Sequence, residues 1–361
     1  MGKQKKKTIN IKIVTKLHHI LATLQLGLLM VVTLASCSGE EEIRQEEVQV
    51  PINFASIADE TEAVTRANTT LGRDFVVYGY KNAGGTEQTV FDGYQVHYLA
   101  NSAGTSEDNT HDYTYVFGSQ TLKYWDFSAS EYNFWGATGG TFTNGGTELT
   151  ISGLTLTTTE PTELPLFSVL YHRSPVSTDV VQLRFKRPYA KVRVLFYTNQ
   201  ELSDKPFDNI KISDITFGPE SPGQIVTGGN LKVKYPKNGE GPEVYSTTST
   251  ASADNLTFEG EVQLDHTHGT ASNNAVTAVP TGGTEYYYVV PNDNATPFTL
   301  SARVDNEDKT AVVPANFMDW KPNFVYTYIF KISGGKYMEF YDVQIDPWQY
   351  GGSQEDEWQN W

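Results

Sequence analysis

From about residue 50 onward, apolar and polar positions alternate with a period of two, not 3.6. The clearest runs are Phe75-Val76-Val77-Tyr78-Gly79-Tyr80, Leu183-Arg184-Phe185, Lys191-Val192-Arg193-Val194-Leu195-Phe196-Tyr197, Leu231-Lys232-Val233-Lys234-Tyr235 and Tyr286-Tyr287-Tyr288-Val289-Val290. Rich in β-branched and aromatic residues, they predict half-buried strands. Asn82-Ala83-Gly84-Gly85, Gly139-Gly140, Asn144-Gly145-Gly146, Gly228-Gly229-Asn230, Gly282-Gly283 and Gly334-Gly335 fall between such runs and predict turns. Helical pieces are expected only as short turns, as near Ser203-Asp204-Lys205-Pro206. Many short strands over this length predict an all-β chain of two tandem β-sandwich domains. The polar, Pro-containing stretch from His172 to Thr178 suggests the boundary, giving residues 50–175 and 176–361.

The N-terminal region is patterned differently. Lys3, Lys5, Lys6, Lys7, Lys12 and Lys16 precede Ile20 to Ala35, a run without charge that ends at small residues. A basic segment followed by an apolar segment of this length is the pattern of a secretory signal peptide. It is shorter than the roughly 20 residues of a membrane-spanning helix. Leu34-Ala35-Ser36-Cys37 resembles the lipobox of bacterial lipoproteins. That resemblance implies a signal peptide over residues 1–36, cleavage between Ser36 and Cys37, and lipid on the Cys37 thiol, which anchors the protein in the outer membrane. Residues 37–49 then form an acidic linker, whose Ser38-Gly39-Glu40-Glu41-Glu42 resembles the export tag of surface lipoproteins in Bacteroides-type bacteria.

Charge and cysteine content narrow the partners. The formal net charge of −16 becomes −22 once the six leader lysines are removed. So acidic a body, with no dense Lys/Arg stripe, is repelled by phosphate backbones, so nucleic acid is not an expected partner. Cys37 is the single cysteine, so no intramolecular disulfide forms.

Few residues suggest catalysis or metal binding. His266 and His268 beside Asp265 have strand spacing but no accompanying ligand cluster. Asn292-Asp293-Asn294 and Asp305-Asn306-Glu307-Asp308 lack the regular spacing of a calcium loop and read as Asx-rich hairpin turns. No GxSxG elbow, Walker loop or GxGxxG motif occurs. The expectation is a non-enzymatic protein with no catalytic residue, no metal and no cofactor. Trp125, Trp135, Trp320, Trp348, Trp358 and Trp361 offer faces that stack on sugars, but four sit among apolar or strand-like neighbours, where core is the expected role.

Several motifs together resemble the fimbrillin superfamily, the pilins and pilus-associated lipoproteins of Bacteroides-type bacteria. They are the lipobox at Cys37; Pro51-Ile52-Asn53-Phe54-Ala55 followed by Val64-Thr65-Arg66-Ala67; and Lys123-Tyr124-Trp125 with Tyr132-Asn133-Phe134-Trp135-Gly136-Ala137. Leu183 to Val194 is similar to the family's central strand pair, although Arg187 stands where the pattern has His and Pro188-Tyr189 replaces a small and an apolar residue. Trp320 to Phe330 and Val343 to Trp348 match its closing hairpin. The resemblance implies two transthyretin-like sandwiches and a structural, tip or anchor subunit of a cell-surface pilus with a role in adhesion. It also implies that an Arg-specific protease cuts between Arg66 and Ala67, removing the first strand. A strand from another pilus subunit then fills the groove. The tail from Gly351 to Trp361, alone or together with the preceding strand from Val343, is the expected donor, and a solvated acidic tail is the alternative reading of the same residues. A surface lipoprotein that binds glycans for nutrient uptake is the alternative. Replacing Cys37 by Ser is expected to leave unprocessed precursor and abolish incorporation of labelled fatty acid; continued labelling would refute the anchor.

Overall fold

The computed structural model describes residues 49–58, 71–98, 113–114, 120–158, 165–168, 170–174, 176–198, 210–221, 225–235, 242–264, 279–280, 285–293, 296–333 and 337–348. Two compact units are distinguished, Met1–Gln49 and Val50–Trp361, and every described strand belongs to the second. The strands are β1 (Phe54–Ala58), β2 (Phe75–Ala83), β3 (Thr86–Tyr98), β4 (Tyr113–Thr114), β5 (Ala129–Thr138), β6 (Thr141–Asn144), β7 (Glu148–Thr155), β8 (Leu166–Ser168), β9 (Tyr171–Arg173), β10 (Val181–Lys186), β11 (Ala190–Thr198) and β12 (Ile210–Pro219). They continue as β13 (Ile225–Lys234), β14 (Glu243–Ala253), β15 (Leu256–Phe258), β16 (Val262–Leu264), β17 (Val279–Pro280), β18 (Tyr287–Val289), β19 (Asn292–Asp293), β20 (Phe298–Val304), β21 (Glu307–Val313), β22 (Asp319–Trp320), β23 (Phe324–Ser333) and β24 (Tyr337–Pro347). The helical element among the described residues is a single 3-10 turn, Ala315–Phe317.

The all-β sandwich expectation holds. A first sheet, ordered β1-β10-β8-β5-β2-β3-β4 with β9 also on β5, packs against a second, β14-β13-β7-β6. Tyr78, Tyr80 and Trp135 of the first meet Leu149, Ile151, Leu231 and Val233 of the second in one buried cluster. The third sheet, β17-β11-β23-β24 with β18 on β11, packs against the fourth, β15-β12-β20-β21 with β16 on β12. Val192, Val194, Phe196, Tyr328 and Phe330 there face Ile212, Phe217, Leu300 and Val304. Each set follows from the two-residue period, which sends alternate side chains to opposite faces.

The two sandwiches are not segregated along the chain. β10 lies in the first sheet, and the hairpin β13–β14 completes the second by pairing β13 with β7. The stretch from 172 to 178, expected as a boundary between residues 50–175 and 176–361, instead begins within β9 and is followed by β10 of the same sheet. A polar, proline-containing break marks where a strand must stop; it carries no information on whether the next strand rejoins the same sheet.

Several turn expectations hold. Gly84 and Gly85, both at positive φ, form the two-residue turn between β2 and β3, and Asp305-Asn306, likewise at positive φ, joins β20 to β21. Gly228-Gly229-Asn230 differs, since it lies inside β13 at a run of register shifts. β13 is paired on both sides, and at Gly229 (φ 135°) an added Cβ would stand 1.9 Å from the Thr248 carbonyl oxygen. The glycine marks a bulge where two backbones approach closely. Gly229→Ala is therefore expected to destabilise the protein by about 2–3 kcal/mol, read as a lower midpoint in urea unfolding; an unchanged midpoint would contradict this packing.

Candidate functional site

The first sheet curls until its ends meet, and β1 fills the resulting core. Five strand spacings separate β1 from β3 in the sheet order, which in a flat sheet would be roughly 24 Å. Yet the rings of Phe54 on β1 and Phe91 on β3 have centroids 5.1 Å apart, edge to face, and Phe54 lies 5.7 Å from Phe134 on β5. Phe134 reaches this position because Gly79 opposite it has no side chain: a Cβ there would come within 2.6 Å of the Phe134 ring.

β1 is the terminal strand of its sheet and runs parallel to β10, with Phe54 opposite Val181 and Ala58 opposite Phe185. Ile52, Phe54, Ala55 and Ser56 are all buried. Just before β1 the chain is held a second time. The Ile52 amide donates to the Lys123 carbonyl at 2.9 Å, the Trp125 amide to the Val50 carbonyl at 2.9 Å, and the Val181 amide to the Asn53 carbonyl at 2.8 Å. Trp125 packs edge-on to Tyr132 at 4.9 Å, with the Arg173 guanidinium 5.3 Å from its own ring. The loop carrying it is pinned by Asp126. Lys81, 2.5 Å from its carboxylate, together with hydrogen bonds from the Ser128 hydroxyl and amide, lowers the Asp126 carboxyl to about 2.

Pro51 makes one bridge to Tyr124, and the ladder with β10 begins at Phe54. Ser36, Cys37, Arg66 and Ala67 lie outside the described residues, as do Trp358 and Trp361 and the group Asp265, His266 and His268. In sequence, Arg66 and Ala67 fall between the end of β1 and the start of β2. Asn292 and Asp293 form β19, paired with β22, and the Asp305 carboxylate accepts the Lys211 amide at 2.9 Å. Among the described residues no group of three His, Cys, Asp or Glu is placed to hold a metal ion. Trp125, Trp135, Trp320 and Trp348 are buried, so none of these four presents a free face to solvent.

β1 combines a terminal position in its sheet with a costly seat. Burying Ile52 and Phe54 is worth about 1.5–3 kcal/mol each. Phe54→Ala is accordingly expected to lower stability by about 3–5 kcal/mol in denaturant unfolding, because a rigid aromatic nest closes poorly on a cavity. A loss below about 1 kcal/mol would mean that β1 is not part of this core.

No family model and no curated protein matches the chain. Among solved structures, similar chains include a fimbrial protein from Bacteroides vulgatus, at TM-score 0.48 and 11% identity over 83% of this chain and 99% of that one. Another is a candidate cell adhesion protein from Parabacteroides distasonis, at TM-score 0.45 and 12% identity over 84% and 99%. A third, from Bacteroides ovatus and with the same description, has TM-score 0.44 and 12% identity over 84% and 99%.

Proposed function

We propose that the chain is a structural, tip or anchor subunit of a cell-surface pilus with a role in adhesion, delivered to the outer membrane as a lipoprotein through Cys37. Its assembly follows the scheme implied by the fimbrillin resemblance. Cleavage between Arg66 and Ala67 frees the segment containing β1, and a strand from another subunit takes its place. The observation that carries this reading is the parallel edge position of β1. An interior strand cannot leave without breaking two ladders, whereas among the described residues β1 is held by one ladder, with β10, by the short link to the Tyr124 loop and by the Leu71 amide donating to the Ser56 hydroxyl. Its departure uncovers an unpaired strand edge and a pocket lined by Phe91, Phe134 and Trp125. Main-chain hydrogen bonds along β10 then supply affinity, and the pocket supplies side-chain selection. The work of such a subunit is association, not catalysis, and requires no cofactor. The glycan-binding alternative calls for coplanar exposed tryptophans, and four of the six are buried.

Processing provides the test. In filaments sheared from cells, the chain is expected to begin at Ala67 by N-terminal sequencing, and Arg66→Ala is expected to yield lipidated monomer without filaments. Filaments whose subunits retain an intact Arg66–Ala67 bond would exclude a shaft role and leave a tip or anchor subunit that keeps β1.

A further inference from the structure

The end of β24 is gripped by cations in an unusual way. β24 itself is a poorly buried edge strand. Within the described residues β23 alone pairs with it, a bulge interrupts that ladder, and Tyr337, Tyr341 and Ile345 are exposed. Unpaired edges of this kind peel readily unless something fixes their ends. Immediately after it, Trp348 is only 3% exposed. The Arg187 guanidinium lies 4.2 Å from its ring centre and the Lys191 ammonium 4.1 Å, and both cations are themselves buried. Tyr189 and Tyr288 wall the indole at 5.4 and 5.6 Å. The backbone is fixed at the same point. The Trp348 amide donates to the Asn323 carbonyl at 2.9 Å, the Asn323 amide to the Tyr189 carbonyl at 3.0 Å, and the Arg187 amide to the Asn323 side-chain oxygen at 3.1 Å. Both cations lie against the electron-rich face of the indole, which attracts them, and Lys191 also stands 4.9 and 5.4 Å from the Tyr286 and Tyr288 ring centres, so the indole is held in a cation–aromatic cluster.

From this geometry we propose that Trp348 is the anchor that keeps β24 in its own subunit, so that the segment available to a neighbouring subunit begins after Trp348 and spans residues 349–361. The proposal rests on the reading that the C-terminal segment is the donor, and narrows it by removing β24 from the donated part. With β24 fixed, the third sheet stays intact through assembly.

Hydrogen exchange on the purified full chain, as monomer and as filament, tests this. In wild type the amides of 337–347 are expected to be equally protected in both states. In the monomer, Trp348→Leu is expected to speed their exchange at least tenfold, whereas Trp348→Phe, which retains an aromatic face, keeps it within threefold. Amides of β12 and β20 serve as the control for an intact fold. Should the Leu variant fail to fold, Arg187→Met removes one cation while leaving the ring, and a severalfold rise in exchange confined to 337–347 is expected. Equal exchange in the Leu and Phe variants, or no rise with Arg187→Met, overturns the cation grip. Loss of protection in 337–347 on wild-type assembly overturns the boundary at Trp348. Failure to form filaments at all would instead sink the assembly reading, with the monomer comparison still deciding the anchor.

Discussion

The contact of Phe54 with Phe91 and Phe134 is the interaction on which the first sheet depends. It joins strands that a flat sheet would hold far apart, so the roll of the sheet and the seating of β1 are one event. The opposite face of the same sheet is committed to the second sheet through Tyr78, Tyr80 and Trp135. A sheet buried on both faces has little freedom to flatten, because each face would have to give up its packing. A groove left by β1 would therefore keep its shape and remain an unpaired, apolar edge until another strand filled it.

The two sandwiches are coupled by shared residues. Tyr189, Tyr288, Val325 and Trp348, carried by or beside strands of the third sheet, complete the core between the first and second sheets. In the other direction, β13 leaves the C-terminal half to pair with β7 and carries β14 with it on its other side. Removal of an N-terminal strand would consequently be felt by a body whose two halves support each other. The clamp on Trp348 lies at that junction. The first strand and the last described strand are thus held by different chemistry, the one by aromatic packing and the other by cations against an indole.

Much of this was legible in the sequence, for identifiable reasons. β2, β10, β11 and β13 each contain a run in which period-two alternation marks a strand, and Asp305-Asn306 marks a hairpin turn by its tolerance of positive φ. Partner choice was not legible, because alternation fixes which face a residue occupies and says nothing about which distant strand lies beside it. Hence a polar loop inside one sheet reads as a domain boundary, and a double-paired bulge at Gly229 reads as a turn. β11 reads as half-buried because Lys191 and Arg193 alternate with valines, yet both cations are buried against aromatic rings. The signal for the clamp lay in Arg187-Pro188-Tyr189, where the chain departs from the fimbrillin pattern: two of those three residues touch Trp348.

The central claim is that the seat of β1 is exchanged between subunits. A filament map at a resolution that separates side chains tests it most directly. The account predicts that residues 50–58 are absent from each subunit and that the strand beside β10, with a side chain between Phe91 and Phe134, belongs to a neighbour's segment 349–361. A filament in which each subunit's own Phe54 still occupies that pocket would contradict it.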